Sequence, residues 1–349
     1  MTDYVKAVVT TLVPLATFAA NIPVIFVTFR SRLFDNDTVA KLIASLAVSD
    51  IVNGVIATCC AGLAWSLQPG QQGPTWLLRL INSGMYTFGV CSIWHLAAVS
   101  VVKCGIIVRP LTHFTIFTDR VLRAIICTIW TFGIAIGGAS NVGVSKTYFS
   151  SITLLAYVTR SNTVSGVSMA VVNFIAPTLV IMTAYVKVFL VVRRQVRSMS
   201  TAVLHPLGSK MIFGSSVRSA KNLFVMCVAY WLTFLPVTIS ALVRAAGSRF
   251  PDAVQFSMSW IYVSSSAVNG FLYIALHSSV RRELRRYLPC RRGFSVAPAS
   301  TQTADNGDRQ RHRGFINTGI AEHGLLQAPV SVTKPSYQRV TQQLPTAVL

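Results

Sequence analysis

"LIASLAVSDIVNGVIATCCAGLAWSLQPGQQGPTW", residues 42–76, is the stretch on which the fold turns. From Leu42 to Leu78 the only charged residue is Asp50. An apolar helix needs about 20 residues to cross the hydrocarbon core of a bilayer, so this run is too long for one crossing. The Pro and Gly residues of Gln68–Trp76 break it, ending one span and opening a short loop into the next.

Outward from this one span, uncharged runs recur at Ala7–Phe29, Leu80–Val102, Ala124–Ser145, Ser161–Val186, Asn222–Val243 and Ala253–Val280, which makes seven spans in all. The composition agrees: 52% hydrophobic and 12% charged residues are too apolar for a soluble globule. The first run exceeds the apolar region of a signal peptide and is followed by Arg30 and Arg32, so it is expected to remain as the first span.

The net charge of +21 is distributed, not gathered on one soluble face as nucleic-acid binding requires. With the N-terminus outside, the outward segments hold Lys6, Arg79, Lys146, Arg160, Arg244 and Arg249, and the rest of the 31 Lys and Arg face inward. That bias predicts a multi-pass cell-membrane protein with its N-terminus outside, its C-terminus cytoplasmic, and no nucleic-acid partner. Six of the seven cysteines lie in or at the ends of spans and Cys290 follows the last one, so no outer disulfide is available.

Beyond the seventh span, "HSSVRRELRRYLPCRR" (277–292) sets Val280, Leu284, Tyr287 and Leu288 opposite Arg281, Arg282, Arg285 and Arg286. This is the pattern of an amphipathic helix on anionic membrane lipids. Cys290 beside it is a candidate for lipidation, with a free thiol as the alternative. Residues 1–292 then form the membrane domain, and 293–349, rich in Ser, Thr, Gln, Pro and Gly, a disordered cytoplasmic tail. Neither a nucleotide loop nor metal-ligand spacing emerges, and the reading is not an enzyme.

Asp50 is costly in a membrane unless paired, hydrated or protonated, and is therefore either a functional centre or a helix-packing hub. Around it, Asn21 in "AANIPVI", "LAVSD", Trp130 in "CTIWTFG", Pro177 in "NFIAPTLVIMTAY", Pro236 in "YWLTFLP" and "NGFLY" (269–273) occur one per span. The third span supplies "VKCGIIVRP" (102–110). In this order the chain resembles the rhodopsin-like (class A) G-protein-coupled receptors.

The resemblance implies an all-α, seven-transmembrane helix bundle with a short amphipathic eighth helix. It would pass an extracellular small-molecule signal to heterotrimeric G proteins, with arrestin as a further partner, by opening the inner end of the sixth span. No cofactor is implied beyond a sodium ion held by Asp50, Ser92, Ser266 and Asn269, with Ser265 and Asn21 adjoining. Such oxygen ligands suit a hard cation, although a water-filled polar network without an ion would use the same groups.

The family's packing switch maps onto Ile93, Pro177 and Tyr230, and Phe234 replaces the usual tryptophan before the hinge at Pro236. In "NGFLY", Gly270 replaces the family's proline. Val102, Lys103 and Cys104 stand for Asp-Arg-Tyr, and Lys103 lacks both an arginine's fork and a neighbouring acid. Ser216 and its neighbours supply no carboxylate from the sixth span. Either basal activity is raised or coupling is weakened. Tyr185 and Tyr273, both available to meet Lys103, favour retained but atypical coupling.

The resemblance places a ligand among Met85, Tyr86, Gly89, Met169, Asn173, Phe234, Thr238, Met258 and Tyr262. Met85 occupies the amine receptors' aspartate position and Tyr262 the opsins' retinal lysine, which points to a neutral or lipid-like ligand. Leu78 stands where the third span's disulfide cysteine is expected, so the loop between spans four and five is expected to be mobile. The competing readings are a non-signalling scavenger or partner subunit, and a transporter, which calls for more intramembrane charge.

Overall fold

A computed structural model describes residues 3–31, 37–68, 71–142, 144–160, 171–201, 207–245 and 247–287. Met169, Cys290, Leu288 and the tail lie outside them. Among the described residues the long helices are α1 (Asp3–Arg30), α2 (Thr38–Ser66), α3 (Thr75–Val108), α4 (Asp119–Ala139), α5 (Ala176–Thr201), α6 (Leu207–Ala245) and α7 (Asp252–Leu276). A shorter α8 (Ser278–Tyr287) follows, a helical turn at His113–Ile116 precedes α4, and a π-helical turn at Val171–Ile175 leads into α5. The capping is local chemistry: the Asp37 carboxylate accepts from the backbone N–H groups of Val39 and Ala40 at the start of α2.

By length and composition α1 to α6 are each apolar enough to cross a membrane. The seventh helix has the length, but its serines and Asn269 lower its hydropathy. Ser259, Ser265 and Ser266 are buried in the bundle rather than turned to lipid, where α7 packs on α1, α2 and α6. Several helices continue past the uncharged runs, α5 to Thr201 and α6 back to Leu207. Charge-free length marks the hydrocarbon slab, not the end of the helix.

Two glycines of α4 let α3 come close. A Cβ on Gly133 would stand 2.9 Å from the Thr87 carbonyl oxygen, and one on Gly137 2.7 Å from that of Ser83. Small residues four apart permit such approach between membrane helices. Above the contact Ser83 Oγ donates to the Gly137 carbonyl at 2.8 Å, Asn82 Nδ2 to Ser140 Oγ at 3.1 Å, and Asn141 Nδ2 to Ser83 Oγ at 2.7 Å.

The loop between α4 and α5 departs from expectation. Instead of lacking structure it holds an antiparallel hairpin, β1 (Val144–Ser150) and β2 (Leu155–Arg160), docked on one end of the bundle. Phe149, Leu155 and Ala156 are buried with Cys60, Leu78, Phe256 and Trp260. Gln72 clamps Phe149, accepting from its N–H at 2.7 Å and donating to its oxygen at 3.4 Å. Trp260 Nε1 donates to the Thr153 carbonyl at 2.8 Å. Leu78, where a disulfide cysteine was expected, instead forms part of the apolar floor. Gln72→Ala should raise hydrogen exchange at the β1 amides about ten-fold, since it removes two hydrogen bonds. Unchanged exchange by mass spectrometry would show that the clamp holds nothing.

Candidate functional site

Asp50 is fully buried on α2. Asn269 Nδ2 from α7 reaches both Asp50 Oδ2, at 3.4 Å, and Ser92 Oγ of α3, at 3.1 Å. Asn53 Nδ2 donates to Ser266 Oγ at 3.1 Å, and Asn21 Nδ2 to the Ser266 carbonyl at 2.9 Å. The four residues expected around an ion therefore converge from three helices, and α1 joins them through Asn21. Asp50 Oδ1 is buried with no hydrogen-bond partner. An orphaned carboxylate oxygen among serine hydroxyls and carboxamides is a donor set that fits a small hard cation.

Gly270 serves contact between α7 and α1. A Cβ there would stand 2.7 Å from that of Ala20 and 2.9 Å from Asn21 Oδ1. Glycine is thus what allows Asn21 to reach Ser266.

Toward the hairpin, Tyr262 of α7 packs edge-on against Phe234, with ring centroids 5.2 Å apart. Its hydroxyl would lie 2.5 Å from a Cβ on Gly89, so Gly89 provides the room that this phenol fills. Met85 and Tyr262 both pack against the cluster beneath the hairpin. Tyr86 stands half-buried beside Met85 on α3. Met258 stands half-buried one turn before Tyr262, and Asn173 lies in the π-helical turn. Thr238 is less available, because its hydroxyl bonds the Phe234 carbonyl of its own helix at 2.9 Å.

Ile93 and Tyr230 share the central core with Phe234. Pro177 has no N–H to give the turn before it. The Phe174 carbonyl in that turn accepts from the Tyr230 hydroxyl at 3.2 Å, which in turn accepts from Thr178 at 3.3 Å. These two bonds join α6 to α5 and to the turn before it. Pro236 lies inside α6, between Phe234 and Thr238.

At the end of the bundle that bears α8, Lys103 donates to the Met226 sulfur at 3.7 Å. Among the described residues it makes no ion pair, and no hydrogen bond joins it to Tyr185 or Tyr273. Tyr185 lies beside Phe224 instead, with centroids 5.7 Å apart, and the Tyr273 hydroxyl is buried without a partner. Leu223 of α6 packs with Cys104 and Ile107 of α3 and with Ala184 and Val188 of α5, so this end of α6 is closed. Val280 of α8 is buried in the central core, and Tyr287 meets Phe26 of α1 edge-on.

His95 carried no signal in the sequence, a lone histidine in an apolar span. It is fully buried, with Nδ1 2.7 Å from the Cys91 carbonyl and Nε2 2.8 Å from Ser45 Oγ. A carbonyl only accepts, so Nδ1 carries the proton and Nε2 accepts from Ser45. Ser45 accepts in turn from Trp130 Nε1 at 3.0 Å. This chain joins α2, α3 and α4, and only the fold brings its members together.

The sequence profile of the 7 transmembrane receptor (rhodopsin family) group matches residues 20–273. Trace amine-associated receptor 7f of Mus musculus is 27% identical over 261 residues, 70% of this chain and 71% of that receptor. Receptor 8b of the same name in Rattus norvegicus is 26% identical over 265 residues, 71% of this chain and 75% of that receptor. The bundle, the polar centre at Asp50 and the profile match agree, and the chain belongs to the rhodopsin family of seven-transmembrane receptors: multi-pass, G-protein-coupled membrane proteins, and a family of receptors rather than enzymes.

Proposed function

We propose that the protein receives a neutral or lipid-like small molecule between α3, α6 and α7, beneath a hairpin that faces outside, and relays it to a cytoplasmic G protein at the α8 end. Arrestin would use the same opening. The observation that carries this reading is the continuity of α6. It holds Phe234 against Tyr262 and, about two turns nearer the closed end, Met226 against Lys103, both on the segment before Pro236, so a displacement of the aromatic pair swings that whole segment about the proline and moves the closed end with it. Asp50, Ser92, Ser266 and Asn269 would hold sodium and favour that closed packing. The basic face of α8 would rest on anionic lipids.

The relatives are named for trace amines, and the aromatic ring faces of Tyr86, Phe234 and Tyr262 offer a second reading, an amine held by cation–π attraction. Against it, Met85 supplies no counter-ion where the family's amine receptors carry aspartate. Both readings are tested in cells by G-protein activation across the main classes, with neutral acyl amides and primary arylalkylamines as probes. The acyl amides are expected to stimulate and the amines not. Lys103→Ala should lower the stimulated signal about ten-fold and Lys103→Arg should raise it, since the charged contact to the partner is lost or made forked. Stimulation by amines alone would overturn the ligand assignment. Silence from all three chains would sink coupling and leave a scavenger or partner subunit.

A further inference from the structure

At the α8 end, α6 itself brings only positive charge toward Lys103, whose acidic partner in attraction, Asp37, stands at the start of α2 and ties nothing to α6. No Asp or Glu occurs in Leu207–Ala245, whereas Arg218 and Lys221 do, and Lys103 stands on α3 with a thioether for its neighbour. Repulsion among these cations favours an α6 that swings away. The apolar packing of Leu223 opposes this, but it is non-directional and tolerates sliding. One directional bond ties this end of α6 to α7: Asn222 Nδ2 donates to the Leu276 carbonyl at 3.0 Å. That oxygen lies in the last turn of α7, where carbonyls have no partner within their own helix. Its neighbour, the Ala275 carbonyl, is taken by the Arg281 guanidinium.

We infer that Asn222 is a positioning residue for coupling, its amide latching the α8 end of α6 to the end of α7 in place of an ion pair to α3. Pro236 lies about four helical turns away along α6, so a small change of angle at the hinge moves Asn222 far enough to break the bond. The latch uses a neutral donor, which adds no further positive charge to this end of α6. This rests on the reading that α6 opens to couple.

The test uses the full chain in lipid nanodiscs, without ligand or G protein, with spin labels at Arg218 of α6 and Arg123 of α4. Asn222→Leu and Asn222→Ala are expected to raise the open population about five-fold, the effect of losing one net hydrogen bond. Asn222→Gln keeps a donor and should stay near the native distribution. Thermal unfolding of each variant identifies those that are folded, and Ala serves where Leu is not accommodated. Native separations in the folded Leu or Ala variant, or opening by Gln as large as by Leu, would overturn the latch. Basal G-protein activation of the same variants is read in parallel. Opening without any rise in activation supports the latch and overturns the coupling reading instead.

Discussion

Gly137→Val is expected to leave little folded receptor at the cell surface. The new Cβ would stand 2.7 Å from the backbone oxygen of Ser83 and closer still to the Thr87 hydroxyl. A side chain can rotate away, but the backbone of a neighbouring helix cannot, so α3 and α4 must part. Parting them breaks the Ser83–Gly137 bond and pulls on those of Asn82 and Asn141. Overpacking and the lost bonds together cost about 3–5 kcal/mol, a large share of the stability of an ordinary domain. Gly138→Val is the control, because a Cβ there meets nothing within 4 Å. Surface labelling and thermal unfolding in detergent compare the two, and equal behaviour would mean that the close approach is not required.

Asp50→Asn is expected to abolish any stabilisation of the receptor by sodium. In the native chain, replacing choline chloride by sodium chloride at ten times the dissociation constant adds about 1.4 kcal/mol of stability, a few degrees in melting temperature. Asparagine keeps the shape and the contact with Asn269 but carries no charge to balance the ion. Its oxygen alone does not replace a carboxylate that is buried with one oxygen unpartnered. A variant that still responds to sodium would exclude Asp50 as the ligand, and a native chain that does not respond would leave the polar network to water.

The spans were legible because hydrocarbon thickness fixes a length, and a single charge in Leu42–Leu78 is conspicuous against it. The hairpin was not. "VSKTYFS" and "LAYVTR" are too short, with one basic residue each, to be told from the frayed ends of spans by charge alone. Their β-branched and aromatic residues were the available signal. The residues around Asp50 could be gathered by resemblance because each sits in a motif of its own span. His95 could not, since its role depends on Ser45 and Trp130, which approach it only through the packing of three helices. The same limit applied to Gly270, whose replacement of proline suggested flexibility, while its contact with Ala20 and Asn21 shows close approach. Tyr185 illustrates a different gap, because a residue assigned to one state is found beside Phe224 in another.

The hairpin over one face of the bundle is fastened by Gln72, Trp260 and buried apolar side chains, with no sulfur bridging it to α3. Assembly of that face therefore does not wait for an oxidising compartment, and a reducing agent finds nothing there to cut. Its attachment is instead sensitive to what weakens weak bonds, heat and denaturant, so loosening of the cap is graded and reversible where a covalent tether would be intact or severed.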